Sequence, residues 1–165
     1  MADIGGEPMV VHCWRRAVEA DVGPVIVACA ETEVARVIEA VGGVAVMTNP
    51  GLQSGSDRVA AALKKVDPNE EYNVVINLQG DLPTLDPDSI RSVLSGFSRV
   101  GVDIVTLACQ ITDKNEISDP NVVKAVISME SETDRGRALY FSRSSVPAGC
   151  GNFYHHIGIY AYRRD

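Results

Sequence analysis

Two short stretches carry residue types that can do chemistry. The first is Gln79-Gly80-Asp81-Leu82-Pro83, directly after the strand-like, β-branched run Asn73–Leu78. A carboxylate at a strand end, behind a glycine that lets a ligand approach the backbone, suits Mg²⁺. That ion is commonly held by one or two carboxylates plus phosphate oxygens. A simple turn role for Asp81 beside Gly80 and Pro83 is the competing reading. The second stretch is Gln53-Ser54-Gly55-Ser56-Asp57-Arg58, at the start of a helical pattern. Free N–H groups at such a start, with Ser54, Gly55 and the cation Arg58, suit an anion or a polar base edge. Plain capping by Ser54 or Ser56 explains the same residues. A third candidate is His156, which follows His155 in a strand-like segment where successive side chains face opposite ways. Lys124 and Arg143 are cations that either face an anionic ligand or sit in solvent.

The elements that must position these residues alternate in period. Val10, Cys13, Trp14 and Ala17 share one helical face over residues 8–20, with Pro8 suited to the first turn. Val25–Cys29 is a continuous apolar run, as for a strand covered on both faces. Helix returns over 31–41 and stops at Gly42-Gly43. Val44–Thr48, Asn73–Leu78 and Ile104–Ile111 read as further strands. Helices fall between them, and Asp86-Pro87 supplies an N-cap and first helical position for the last. This alternation predicts an α/β fold, a mostly parallel Rossmann-like sheet with helices on both faces. It opens on a helix with no strand before it. After residue 121 the helical period fades, and Val122–Met129, Ala138–Arg143 and Phe153–Tyr162 read as antiparallel strands. No repeat or linker divides the chain, so 1–165 reads as a single domain, incomplete at its start.

Composition narrows the partners. The 165 residues are 45% hydrophobic and 22% charged, as in an ordinary folded protein. The net charge of −7 and scattered cations argue against nucleic acid, whose binding draws on a basic stripe. No apolar run approaches a membrane span and no leader pattern opens the chain, so a cytoplasmic protein without membrane contact is expected. Cys13, Cys29, Cys109 and Cys150 show no C-x-x-C spacing and read as buried free thiols of a reducing compartment.

The two chemical stretches also carry a resemblance. Asn49-x-x-x-Gln53-Ser54-Gly55-Ser56-Asp57-Arg58 and Val75-Ile76-Asn77-Leu78-Gln79-Gly80-Asp81-Leu82-Pro83 look like successive motifs of the 3-deoxy-manno-octulosonate cytidylyltransferases. Asp3-Ile4-Gly5-Gly6-Glu7-Pro8-Met9, Pro120-Asn121-Val122-Val123-Lys124, Ala138-Leu139-Tyr140-Phe141-Ser142-Arg143 and His156-Ile157-Gly158-Ile159-Tyr160 match further motifs in order. The resemblance implies a nucleotide-diphospho-sugar transferase type of fold. It also implies transfer of cytidylyl from CTP to the sugar acid KDO, a step in lipopolysaccharide precursor synthesis, and a homodimer. On the matching positions, Ser54, Gly55 and Arg58 would hold the nucleotide. Gln79 and His156 would contact the sugar acid, and Asp81 would act in catalysis as the Mg²⁺ ligand. A CMP-sialic acid synthetase-like enzyme, or a non-catalytic dimerising or nucleotide-binding fragment, are the alternatives. The family's basic triphosphate loop and a second acidic metal ligand have no counterpart here. The expectation is a chain truncated at both ends, with little or no activity alone.

Overall fold

The computed structural model describes residues 2–149 and 151–164. The chain falls into two compact units, residues 1–105 with 159–165, and residues 106–158.

The first unit opens on a hairpin of β1 (Asp3–Ile4) and β2 (Glu7–Pro8), with Ile4 opposite Glu7. Its two turn residues, Gly5 and Gly6, have φ of 64° and 89°, the left-handed pair that a tight hairpin turn demands. Helix α1 (Met9–Ala20) follows, with Pro8 one position ahead of it as the N-cap rather than inside its first turn. Arg91 closes the other end of α1: its Nε donates to Ala20 O at 3.0 Å and an Nη to Glu19 O at 2.9 Å. A cation on terminal carbonyls satisfies groups the helix leaves unpaired.

Strand β3 (Ile26–Cys29), α2 (Thr32–Ala40) and β4 (Val44–Met47) form a β–α–β unit, and the two strands pair in parallel from Ile26–Val44 to Cys29–Met47. Ile38 on α2 is fully buried. A Cβ on Gly43 would lie 2.7 Å from Ile38 Cγ2 and 3.0 Å from the Trp14 ring, so only glycine lets the backbone pass there. Helix α3 (Gly55–Val66) leads to β5 (Val74–Leu78), and α4 (Pro87–Ser95) follows, capped as expected by Asp86, which accepts from Asp88 N. Ile90 and Val93 put α4 into the core. The last part of β9 (Tyr154–Arg163) runs antiparallel to β5, pairing Val74–Arg163 through Leu78–Ile159. The parallel register expected of the sheet therefore holds for β3 and β4, while β5 takes an antiparallel neighbour. Ile26, Val27 and Ala28 are only half-buried, unlike the strand covered on both faces that their apolar run predicts.

In the second unit β6 (Ile104–Gln110) contributes its later residues, and a short helix α5 (Lys114–Ser118) follows. Strand β7 (Lys124–Met129) pairs antiparallel with β8 (Gly136–Ser142) and with the first part of β9. These are the antiparallel strands the sequence predicts. Among the described cysteines Cys13 and Cys29 are buried, but Cys109 lies exposed on β6, and Cys150 is outside the described residues.

Candidate active site

The loop before α3 and the loop after β5 meet in the first unit. Ser54 caps α3: its Oγ accepts from Asp57 N at 3.0 Å and donates to Asp57 Oδ2 at 2.7 Å. The capping reading of Ser54 is therefore realised. Gly55 begins the helix directly against Gln79, and a Cβ there would stand 2.9 Å from Gln79 Oε1. Gln79 is held in turn, since its Nε2 donates to Asn77 Oδ1 at 2.8 Å. Asn77 is buried, 1% exposed, and its own amide reaches Ser56 Oγ at 3.4 Å. Ser56 Oγ also lies 3.3 Å from the Tyr162 hydroxyl.

Arg58, one turn into α3, donates to Thr48 Oγ1 at 2.7 Å and to Asn49 O at 3.4 Å. Thr48 passes the connection on by donating to Cys29 O at 3.0 Å. The guanidinium thus sits at the carboxyl ends of β3 and β4, where ligands of open α/β sheets bind. Asp81 is exposed and makes no hydrogen bond or ion pair with the described residues. Beneath its loop, burial pushes the Cys13 thiol up; a backbone hydrogen bond from Leu82 opposes this and the Asp81 charge adds to it. Among the described residues no three His, Cys, Asp or Glu side chains cluster to hold a metal. A lone, unpaired carboxylate fits an ion completed by phosphate oxygens rather than a protein cage.

His156 belongs to the second unit. Its Nε2 is 2.9 Å from Thr106 Oγ1, and its ring meets Phe141 edge-on at 4.9 Å between centroids. Burial, then the neighbouring His155, lowers its pKa from 6.5. Lys124 is not a solvated cation: it is fully buried, with Nζ donating to Asp119 O at 2.7 Å and Val122 O at 2.6 Å. Arg143 reaches the same turn through Pro120 O at 2.8 Å. Both charges are spent on backbone carbonyls of residues 119–122.

The structure therefore brings Ser54, Gly55, Arg58, Gln79 and Asp81 into one unit and leaves His156 in the other. Asn77, Thr48 and Tyr162 were not singled out in the sequence as site residues, and Ser56 was read only as an alternative cap. Asn77 carried a signal, because a lone amide within Val74-Val75-Ile76-Asn77-Leu78 must find partners if the strand is buried.

A cytidylyltransferase family model matches residues 1–165. A 3-deoxy-manno-octulosonate cytidylyltransferase of Paramagnetospirillum magneticum is 55% identical over 100% of this chain and 67% of its own length. The enzyme of that name from Rhodospirillum rubrum is 54% identical over 99% of this chain and 66% of its own length. The chain thus spans about two thirds of the curated relatives it matches. A solved CMP:2-keto-3-deoxy-manno-octonic acid synthetase complexed with CTP superposes with a TM-score of 0.84 at 36% identity, covering 98% of this chain and 66% of that one. A 4-diphosphocytidyl-2C-methyl-D-erythritol synthase from Anaerococcus prevotii shares the fold alone, with a TM-score of 0.55 at 12% identity over 98% of this chain and 64% of that one. Matched along its whole length and more than half identical to named members, the chain belongs to the cytidylyltransferase family, among the 3-deoxy-manno-octulosonate cytidylyltransferases.

Proposed function

We propose that this protein transfers the cytidylyl group of CTP to the anomeric hydroxyl of KDO. The anomeric oxygen attacks the α-phosphorus and loses its proton. The bond from that phosphorus to the bridging oxygen breaks, giving CMP-KDO and pyrophosphate. The observation that carries this reading is the fit of the fold to a synthetase complexed with CTP, at 36% identity. The names of relatives more than half identical favour KDO over a nine-carbon sialic acid as acceptor.

In this reading Ser54, Gly55 and Arg58 hold the nucleotide. The α3 N-terminus offers free amide N–H groups and positive dipole charge to an anion, and Arg58 adds a full charge in an otherwise acidic protein. Gln79, fixed by Asn77, presents its carbonyl oxygen to a hydroxyl of the sugar acid. The same assignment for His156 rests on the motif resemblance. Asp81 holds Mg²⁺ together with phosphate oxygens. The ion, when bound, neutralises triphosphate charge and favours departure of pyrophosphate. The chain's own residues contribute alignment and charge, and no covalent intermediate is needed.

The product would feed lipopolysaccharide assembly, and a cytoplasmic location follows from the use of CTP. A homodimer is supported by β8, which pairs with β7 and leaves Leu139 and Tyr140 59% and 62% exposed. Sedimentation of wild type against Leu139→Lys tests it, with a monomeric wild type the contrary result.

The function is tested by titrating CTP into the protein with and without Mg²⁺. Affinity should rise with Mg²⁺, and Asp81→Asn should remove that gain while leaving the melting temperature unchanged, because Asp81 has no partner to lose. Binding of CTP indifferent to both Mg²⁺ and Asp81 would contradict the assignment. So would pyrophosphate release that responds to a nine-carbon acid but not to KDO.

A further inference from the structure

Thr106 of β6 stands between the His156 ring and the next carbonyl along β9. Its Oγ1 lies 2.9 Å from His156 Nε2 and 3.4 Å from Ile157 O. A hydroxyl carries one proton, and a carbonyl oxygen only accepts. If Thr106 gave its proton to Nε2, two oxygens would face each other at Ile157 with no proton between them. If Nε2 carries a proton, it donates to Oγ1 and the hydroxyl donates to Ile157 O. Thr106, His156 and Ile157 are all half-buried, where the arrangement that turns both contacts into hydrogen bonds is favoured. The ring is also held from two other sides. The His156 backbone N–H donates to Val123 O at 2.8 Å, and Phe141 of β8 meets the ring edge-on. Burial, with His155 adding to it, disfavours a second proton on the ring. One nitrogen then donates and the other accepts.

We infer that Thr106 is a positioning residue: it fixes His156 as the Nε2–H tautomer, so that Nδ1 accepts a hydrogen bond from a hydroxyl of the sugar acid and does not pair with its carboxylate. This rests on the reading of His156 as a sugar-acid contact. The chemistry selects the hydroxyl. A neutral ring whose single N–H is engaged on Thr106 has no donor to give a carboxylate, whereas the Nδ1 lone pair matches an O–H. A histidine facing a sugar acid would otherwise be expected to act as a cation. Thr106 therefore decides which part of the substrate the ring can read.

The test is long-range proton–nitrogen NMR of the histidine rings in the 165-residue chain near neutral pH, during titration with KDO. The His156 signal is assigned by its loss in His156→Gln. Without KDO, Nε2 should show the shift of a protonated nitrogen and Nδ1 that of an unprotonated one. KDO should move Nδ1 upfield, as for a lone pair that takes a hydrogen bond, and leave Nε2 protonated. Thr106→Val keeps the shape and loses the hydroxyl. It should let the other tautomer appear and weaken KDO binding about tenfold, equivalent to about 1.4 kcal/mol. Thr106→Ser should keep both the tautomer and the affinity of wild type. The wild-type spectrum decides the tautomer even if the valine variant fails to fold. A proton on Nδ1 in wild type would overturn the role of Thr106 whether or not KDO binds. Two protonated nitrogens in the KDO complex would mean carboxylate pairing and would sink it too. A ring held as Nε2–H but indifferent to KDO would instead remove His156 from the sugar-acid site, and the substrate half of the proposal with it.

Discussion

The Gln79 side chain, one residue beyond β5, donates from Nε2 to Asn77 Oδ1 at 2.8 Å, two residues back inside the strand. That bond turns a half-buried loop position into an oriented one, because Asn77 is itself buried and tied to Ser56. Replacing Asn77 by alanine strips two hydrogen bonds from the junction of the two site loops and leaves a void in the core. We expect Asn77→Ala to destabilise the protein by about 1–3 kcal/mol. Urea unfolding measures this, and an unchanged midpoint would show that the amide network bears no weight.

Gly55→Ala separates stability from binding. Alanine gains up to about 1 kcal/mol over glycine inside a helix and less at its first turn, so the fold should hold. The new methyl group would stand 2.9 Å from Gln79 Oε1 and 3.2 Å from its Nε2. Gln79 must swing away, breaking its bond to Asn77. CTP affinity should fall about tenfold, equivalent to about 1.4 kcal/mol. Titration calorimetry beside a melting curve reads both effects, and a stable variant that binds CTP as wild type does would refute the close packing of these loops.

Arg58 links the strand ends to the helix through Thr48 and Asn49. Arg58→Ala should lower stability by about 1 kcal/mol, for the lost hydrogen bonds, and CTP affinity by about tenfold or more. Thr48→Val is the control. It removes the hydroxyl that fixes the guanidinium and keeps the charge, so binding should weaken less than in Arg58→Ala.

The order of helices and strands was legible because each core face repeats with its own period, as in Val34, Val37 and Ile38 of α2 against the continuous run of β3. Ser54 and Asp86 as caps were legible because short polar side chains before an apolar helix have few other uses. The hairpin at Gly5-Gly6 was passed over because two-residue strands carry no periodic signal, although the glycine pair itself was one. Lys124 misled for a different reason. Sequence shows a cation but not the carbonyls of Asp119 and Val122 that come round to receive it. The same limit hid the Arg58–Thr48–Cys29 chain, since each bond joins separate elements.

His156 supplies a pH test. Its pKa is lowered by burial and by His155, so the folded protein binds its proton less readily than the unfolded chain. The unfolded chain then takes up more protons below pH 6.5, and the folded state loses stability as pH falls from 6.5 toward the lower folded value. Above 6.5 the penalty vanishes. NMR titration of the ring should give a midpoint below 6.5, and Phe141→Leu, which keeps an apolar cover, should leave that midpoint low. A midpoint at or above the ordinary value would overturn the assignment of a half-buried, neutral ring.

Asp67 acts in the opposite direction at lower pH. Its carboxylate is buried and accepts from Glu71 N at 2.9 Å and Tyr72 N at 3.1 Å, and it pairs with Arg164 at 2.5 Å. The Glu71 amide is the chief cause that lowers its pKa below 3.8, the Tyr72 amide adds to it and Arg164 follows. A carboxylate with a depressed folded pKa contributes stability that is fully present above its unfolded value and is lost as pH falls through the folded one. Asp67→Asn should therefore lower the melting temperature near neutrality and flatten its decline below about pH 4. Arg164→Met should reproduce only part of that flattening, because the backbone amides that dominate the shift remain. If Arg164→Met instead flattened the acid limb as fully as Asp67→Asn, the ion pair and not the turn of residues 67–72 would be the source of the acid sensitivity.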